Sequence, residues 1–125
     1  MADLTLWYSN FFISDFDRSL TFFRDQLGLK VIQADEAFGY ASFDTGAAYI
    51  AFAKVDMTEQ PELVGRHTGI GLAAEDINLA YEQLLAAGVE FEMPPTKQPW
   101  GGVLALFKDP DGNVFYLDQL DSEHS

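Results

Sequence analysis

The sequence contains no cysteine, only two histidines, and seven basic residues against twenty acidic ones. Each shortage removes a class of chemistry. Without cysteine there is no disulfide, no thiolate nucleophile and no cysteine–zinc site. A formal charge of −13 offers no basic surface to a phosphate backbone, so nucleic acid is not an expected partner. The same charge would attract a cationic ligand and speed its arrival at low salt. No apolar run approaches the ~20 residues of a membrane helix, and the first residues lack the basic-then-apolar pattern of a signal peptide. A cytoplasmic protein with no membrane partner is expected. No glycine-rich phosphate loop stands out, and Ser9, Ser14, Ser19 and Ser42 lack a His–Asp context for covalent catalysis.

What the chain does have is a repeat. Asp15-Phe16-Asp17-Arg18-Ser19-Leu20 opens an amphipathic run ending at Leu27-Gly28-Leu29, and Asp76-Ile77-Asn78-Leu79-Ala80-Tyr81 opens another ending at Ala87-Gly88-Val89. Asp15 and Asp76 stand 61 residues apart, and Gly28 and Gly88 stand 60 apart. Each run follows one strand-like segment and precedes three more. The expected fold is therefore α+β, a single domain over residues 1–125 with two βαβββ modules in tandem. The first module covers residues 4–55 and the second 67–120, joined by a connector at 56–66 around Pro61. Residues 121–125 read as a frayed tail.

Within the first module the spacing predicts a strand over 4–13 and then a helix capped by Ser14 or Asp15. Ser14 and Asp17 resemble a capping box. Phe16, Leu20, Phe23 and Leu27 form the expected buried stripe, and Gly28 ends the helix. Strands follow at 29–34, 38–44 and 47–55, the last two turning at Asp44-Thr45-Gly46. The second module has a strand at 68–74 and a helix capped by Asp76, with Tyr81, Leu84 and Leu85 inward. Its further strands lie at 89–93, 102–108 and 113–119, the last pair joined by the turn Asp109-Pro110-Asp111-Gly112.

A sheet crossed by one helix has a second face to account for, and period-2 alternation assigns it. Phe11, Ile13, Ile50, Phe52, Ile70, Leu72, Ala74, Phe115 and Leu117 suit the helix side. Tyr8, Asn10, Phe12, Tyr49, Ala51, Ala53, Gly69, Gly71, Ala73, Tyr116 and Asp118 then point the other way. Tyr40 and Leu104 are counted with this second face. It mixes very small residues with tyrosines, where ordinary core would carry valine, isoleucine and leucine. Small residues make room and phenols give rings plus hydroxyls, which suits a ligand cavity. A twisted sheet needing glycine for close backbone approach is the alternative.

Three blocks of sequence carry a family resemblance. The first is Ile13-Ser14-Asp15-Phe16-Asp17-Arg18-Ser19-Leu20-Thr21-Phe22-Phe23 with Leu27-Gly28-Leu29. The second is Ala86-Ala87-Gly88-Val89, and the third is Pro99-Trp100-Gly101-Gly102 with Phe107-Lys108-Asp109-Pro110-Asp111-Gly112-Asn113. In order and spacing these resemble the vicinal-oxygen-chelate superfamily of glyoxalases, bleomycin-resistance proteins and ring-cleaving dioxygenases. The resemblance implies two βαβββ modules curled into a cup-shaped mixed sheet, and commonly a homodimer. In the metalloenzymes of that family, four inward side chains, mostly His and Glu, hold a divalent ion. The matching positions here are Tyr8, Ala51 (give or take a residue), Gly69 and Tyr116.

A methyl group and a hydrogen donate nothing to a metal, and a phenol near its ordinary pKa of ~10 is a poor ligand. The resemblance therefore points to the metal-free, bleomycin-resistance-like branch, with no cofactor. The expected function is metal-independent binding of a small molecule, with sequestration of an antibiotic or of a cationic, planar aromatic compound as the specific form. The expected ligand-binding residues are Tyr8, Asn10, Phe12, Tyr40, Tyr49, Ala51, Gly69, Trp100, Leu104, Tyr116 and Asp118. Trp100 reads equally as a turn anchor. Two alternatives stay open. One is a glyoxalase-like lyase, isomerase or dioxygenase with an atypical metal site, in which a register shift brings His67 and Asp118 together; the other is an accessory module with a vestigial pocket. His124 lies in the tail and is given no role.

Overall fold

Aspartate at the start of each amphipathic run fixes where the helices begin. In the computed structural model, which describes residues 2–120, Asp15 is extended and its Oδ1 accepts from the Arg18 backbone N–H at 3.1 Å. Asp76 does the same for Leu79 at 3.1 Å. Such caps are worth about 1 kcal/mol each. Ser14 takes another role, accepting from the Arg18 guanidinium at 3.1 Å, so the expected capping box does not form.

The elements run β1 (Tyr8–Ile13), α1 (Phe16–Thr21), β2 (Lys30–Asp35), β3 (Tyr40–Asp44), β4 (Tyr49–Lys54), β5 (His67–Ala74), α2 (Ile77–Ala86), β6 (Glu90–Lys97), β7 (Val103–Lys108) and β8 (Val114–Gln119). They build two four-stranded sheets, ordered β1-β4-β3-β2 and β5-β8-β7-β6. The first and last strands of each module pair in parallel, and all other pairs are antiparallel. The helix lies in the connection that leads away from the first strand and lets the last return beside it. The fold is thus α+β with two βαβββ modules, and the compact units divide between Val64 and Gly65. Among the described residues, no helix is long and apolar enough to cross a membrane.

Module one is held by phenylalanine. Phe23 lies 5.0 Å from Phe11, 5.8 Å from Phe43 and 6.2 Å from Phe52, between ring centroids, and Phe16 meets Phe52 edge-on at 5.7 Å. The expected stripe of Phe16, Leu20, Phe23 and Leu27 is corrected here. After Thr21 the helix widens into a π turn over Phe22–Gln26, with the Leu27 N–H donating to the Phe22 carbonyl at 2.9 Å. That extra residue per turn shifts the buried face. Phe16, Ser19, Phe22 and Phe23 are buried, while Leu20 and Leu27 are half-buried. Residues 4–7, expected as strand, lie ahead of β1 without pairing, and Leu4, Leu6 and Trp7 are exposed.

Module two stacks Phe107 on Phe115 (5.4 Å, 12° between planes), with Phe91 tilted beside Phe107 and Tyr81 of α2 edge-on to Phe91. Ile77, Tyr81 and Leu84 form the inward stripe. Leu85 is exposed rather than inward, because it lies one residue, about 100°, past Leu84 on a helix that covers the sheet with a narrow face. The strand expected at 89–93 continues to Lys97 through Pro94 and Pro95, with two register shifts against β7.

The turn from β7 to β8 contains a buried polar clamp. Asp109 Oδ1 accepts from the backbone N–H groups of Asp111 (3.0 Å) and Asn113 (2.8 Å), and Oδ2 accepts from Asn113 Nδ2 (2.8 Å). Asn113 Oδ1 in turn accepts from the backbone N–H groups of Gly65 (2.8 Å) and Arg66 (3.1 Å). Both side chains are almost fully buried. The entry to β5 is thereby tied to a turn nearly fifty residues later in the chain.

Burial pushes the Asp109 carboxyl up to about 6, against its hydrogen bonds to Asn113 and Asp111, which hold it down. The folded carboxyl therefore binds its proton more tightly than an unfolded one at 3.8, so Asp109 favours folding at low pH. That contribution is complete below about pH 4 and is lost as pH rises through about 6. In urea unfolding, the stability of the wild type relative to Asp109→Asn is expected to fall by about 2 kcal/mol between pH 4 and pH 7. A pH-independent difference would contradict the burial of this carboxyl.

Candidate functional site on the helix-free sheet faces

Strand register places the candidate residues in rows. In module one, Tyr8 lies beside Tyr49 and then Asp44; Asn10 beside Ala51 and then Ser42; Phe12 beside Ala53 and then Tyr40. Residues paired across neighbouring strands point to the same face, so Tyr8, Asn10, Phe12, Tyr40, Tyr49 and Ala51 share the face opposite the phenylalanine core. The two ends of this surface differ. Tyr8 and Tyr49 expose their rings, whereas Ala51 and Ser42 in the next row are buried. The result is an aromatic ledge beside a small-residue floor.

In module two the rows are Gly71 with Tyr116 and Leu106, and Ala73 with Asp118 and Leu104. β5 carries its irregularity between His67 and Gly71, where His67 is opposite Val114 and Gly71 opposite Tyr116. Gly69 sits inside that irregularity with φ +74, a conformation that favours glycine, and its N–H donates to His67 Nδ1 at 3.2 Å. The kink turns the imidazole onto Tyr116, with ring centroids 4.9 Å apart at 60°. The alternative pairing of His67 with Asp118 is not what the structure shows: the ring that His67 meets is Tyr116.

Asp118 shares this face with Lys108 and Glu90, which lie in the row of His67 and Val114. A Cβ added at Gly71 would stand 3.0 Å from Asp118 Oδ2 and 3.6 Å from the Tyr116 Cβ, so the glycine leaves the carboxylate room to lie against the sheet. Partial burial raises the Asp118 carboxyl above its ordinary value. Trp100 is not part of these rows. It sits in the β6–β7 hairpin, where the Gln98 N–H donates to the Gly102 carbonyl at 2.7 Å, and its indole folds over Gly102 with most of the ring exposed. Sequence reasoning missed Ser42 and Leu106, which complete the central row of each module; the alternation within Ala41-Ser42-Phe43 and Ala105-Leu106-Phe107 carried that signal.

The positions corresponding to metal ligands hold a phenol at Tyr8, a methyl at Ala51, a hydrogen at Gly69 and a phenol at Tyr116. This donor set does not fit a divalent ion, which generally takes three protein ligands of the His, carboxylate or thiolate kind. Among the described residues, no three His, Asp or Glu side chains gather closely enough to hold one elsewhere.

Comparison with known proteins agrees with this architecture. Residues 6–117 match the model of the Glyoxalase/Bleomycin resistance protein/Dioxygenase superfamily, and the chain belongs to that superfamily. The uncharacterised protein YraH of Bacillus subtilis (strain 168) is 30% identical over 118 residues, covering 86% of this chain and 92% of YraH. A superfamily member from Sphaerobacter thermophilus DSM 20745 superposes with a TM-score of 0.75 at 29% identity, covering 94% of this chain and 98% of that one. A lactoylglutathione lyase from Agrobacterium tumefaciens shares the fold, with a TM-score of 0.76 at 18% identity over 94% of this chain and 95% of its own.

The raised Asp118 carboxyl gives a direct check of the face. Its folded form holds the proton more tightly, so its contribution to folding is present at low pH and lost as pH rises. Asp118→Asn is expected to gain stability over the wild type at pH 7 and to lose that advantage below 3.8, the ordinary aspartate value. Urea unfolding of both proteins at the two pH values measures it, and an advantage unchanged by pH would place the carboxylate in free solvent.

Proposed function

We propose that this chain binds a planar, positively charged small molecule without transforming it, and protects its cell by sequestering that compound in the cytoplasm. The observation that carries this reading is the helix-free face of module two. There a His67–Tyr116 ring pair adjoins a half-buried Asp118 carboxylate over Gly71 of β5. A flat cation would stack on the rings and place its charge near the carboxylate, each contact being worth about 1 kcal/mol or more. Tyr8 and Tyr49 on module one supply a second stacking surface. The charge of −13 adds attraction from a distance. Sequestration needs affinity and abundance, and neither requires a metal at the family's chelating positions.

The family resemblance and the exposed Leu4, Leu6 and Trp7 ahead of β1 support a second copy of the chain as the protein partner. Light scattering at micromolar protein measures that state.

The test of binding is a thermal-shift panel of cationic aromatic drugs with neutral and anionic analogues. A ligand at 100 times its Kd is expected to add about 2.7 kcal/mol, raising Tm by several degrees. Asp118→Asn should weaken the cations about tenfold and leave neutral analogues unchanged. No stabilisation by any cation at saturation would sink the proposal. Near-stoichiometric zinc, nickel, manganese or iron in the purified protein would turn it toward the lyase or dioxygenase reading.

A further inference from the structure

Module one has a concavity of ≈ 550 Å³, made by the β2–β3 turn, the end of β4 with the residues that follow it, and Ser14. Its walls include Phe38, Met57, Lys54, Glu36 and Asp56. The face described above does not use it, since the pairing of Lys54 with Ile13 puts this position on the opposite side of the sheet from Phe12 and Ala53. Its volume is that of a small-molecule site.

Three features make it more than a gap between turns. First, the backbone is set. Gly39 has φ +67, and a Cβ there would stand 2.6 Å from the Lys54 Cβ, while the Lys54 N–H donates to the Gly39 carbonyl at 2.8 Å. The root of the Lys54 side chain is thus pressed onto the turn by a glycine that nothing else replaces. Second, two large apolar groups border the same hollow. Phe38 is 83% exposed and Met57 41% exposed, although the Phe38 N–H is fixed by Asp35 Oδ1 at 3.2 Å, so the ring is presented by an ordered turn. Third, both signs of charge are on offer. Among the described residues the Lys54 ammonium and the Glu36 carboxylate make no hydrogen bond, and the charge of Lys54 acts on Asp56 from a distance. Asp56 is kept ionised by the Thr58 hydroxyl and backbone N–H, which hold its carboxyl below the ordinary range.

We propose that this hollow binds an amphipathic zwitterion, with a free amino acid carrying a large apolar side chain as the ligand class. The carboxylate of the ligand meets Lys54, its ammonium meets Glu36 or Asp56, and its side chain lies on Phe38 and Met57. A ligand with only one charge leaves one of these groups without a partner; a charge-assisted contact of this kind is worth about tenfold in affinity. The site is independent of the cation-binding face, and either can fail alone.

The experiment is a titration of 15N-labelled protein with L-phenylalanine, alongside phenethylamine and 3-phenylpropionate, up to the order of 10 mM. Saturable shifts are expected at residues 36–39 and 54–58, with L-phenylalanine binding about tenfold more tightly than either analogue. Lys54→Gln should reduce L-phenylalanine to the level of the amine, and Phe38→Ala should weaken all three ligands. Both positions are exposed, and an unchanged amide spectrum away from the hollow verifies that the variants fold. Absence of saturable shifts, equal response to the three probes, an unaffected Lys54→Gln variant, or shifts confined to β5 and β8 would each overturn the proposal.

Discussion

A single helix can cover only one side of a four-stranded sheet, and this limit governs both modules. Because the first and last strands pair in parallel, the chain must cross over the sheet between them, and the crossover deposits its apolar stripe on one face. Phenylalanine collects there: Phe11, Phe16, Phe23, Phe43 and Phe52 in module one, Phe91, Phe107 and Phe115 in module two. The other face has no helix of its own module against it, although Ala51 and Ser42 at its centre in module one are still buried. Residues useless to a core, such as Gly71, Ala73 and the half-buried Asp118, are tolerated there because no helix presses on them.

Local chemistry was legible in the sequence where the side chain acts on its own neighbours. Asp15 and Asp76 cap helices three residues on, and Asp109 bonds the turn that it begins. The rows of the helix-free faces were legible too, because alternation is a property of strands that survives any detail of packing. The two modules were legible in the repeat of the helix starts at Asp15 and Asp76, and the superfamily in the resemblance carried by the three sequence blocks.

What was not legible depends on distance or on register. Nothing in Phe22-Phe23-Arg24-Asp25-Gln26 announces a π turn, which arises when two adjacent phenylalanines both find room in the core. Asn113 reads as the end of a turn, yet its side-chain oxygen holds the backbone at Gly65 and Arg66. Trp100 stood in a block typical of the superfamily, and its position over Gly102 is set by the hairpin that carries it. The hollow around Phe38 and Lys54 left no linear signal at all, since its walls are drawn from three separated segments, at Ser14, Glu36–Gly39 and Lys54–Thr58.

The prolines of β6 have a consequence for how the molecule survives in a crowded cell. β6 ends the order of its sheet, so one side of its backbone has no partner strand in the module. Pro94 and Pro95 withdraw two amide donors in succession, and Glu90 and Glu92 add negative charge to the same strand. Because successive N–H groups of a strand point to opposite sides, one of these two losses falls on the open margin, and with the charges it disfavours pairing by an incoming chain. A module whose sheet leaves one face free of its helix thus carries, on this border strand, the residues that disfavour further strand pairing.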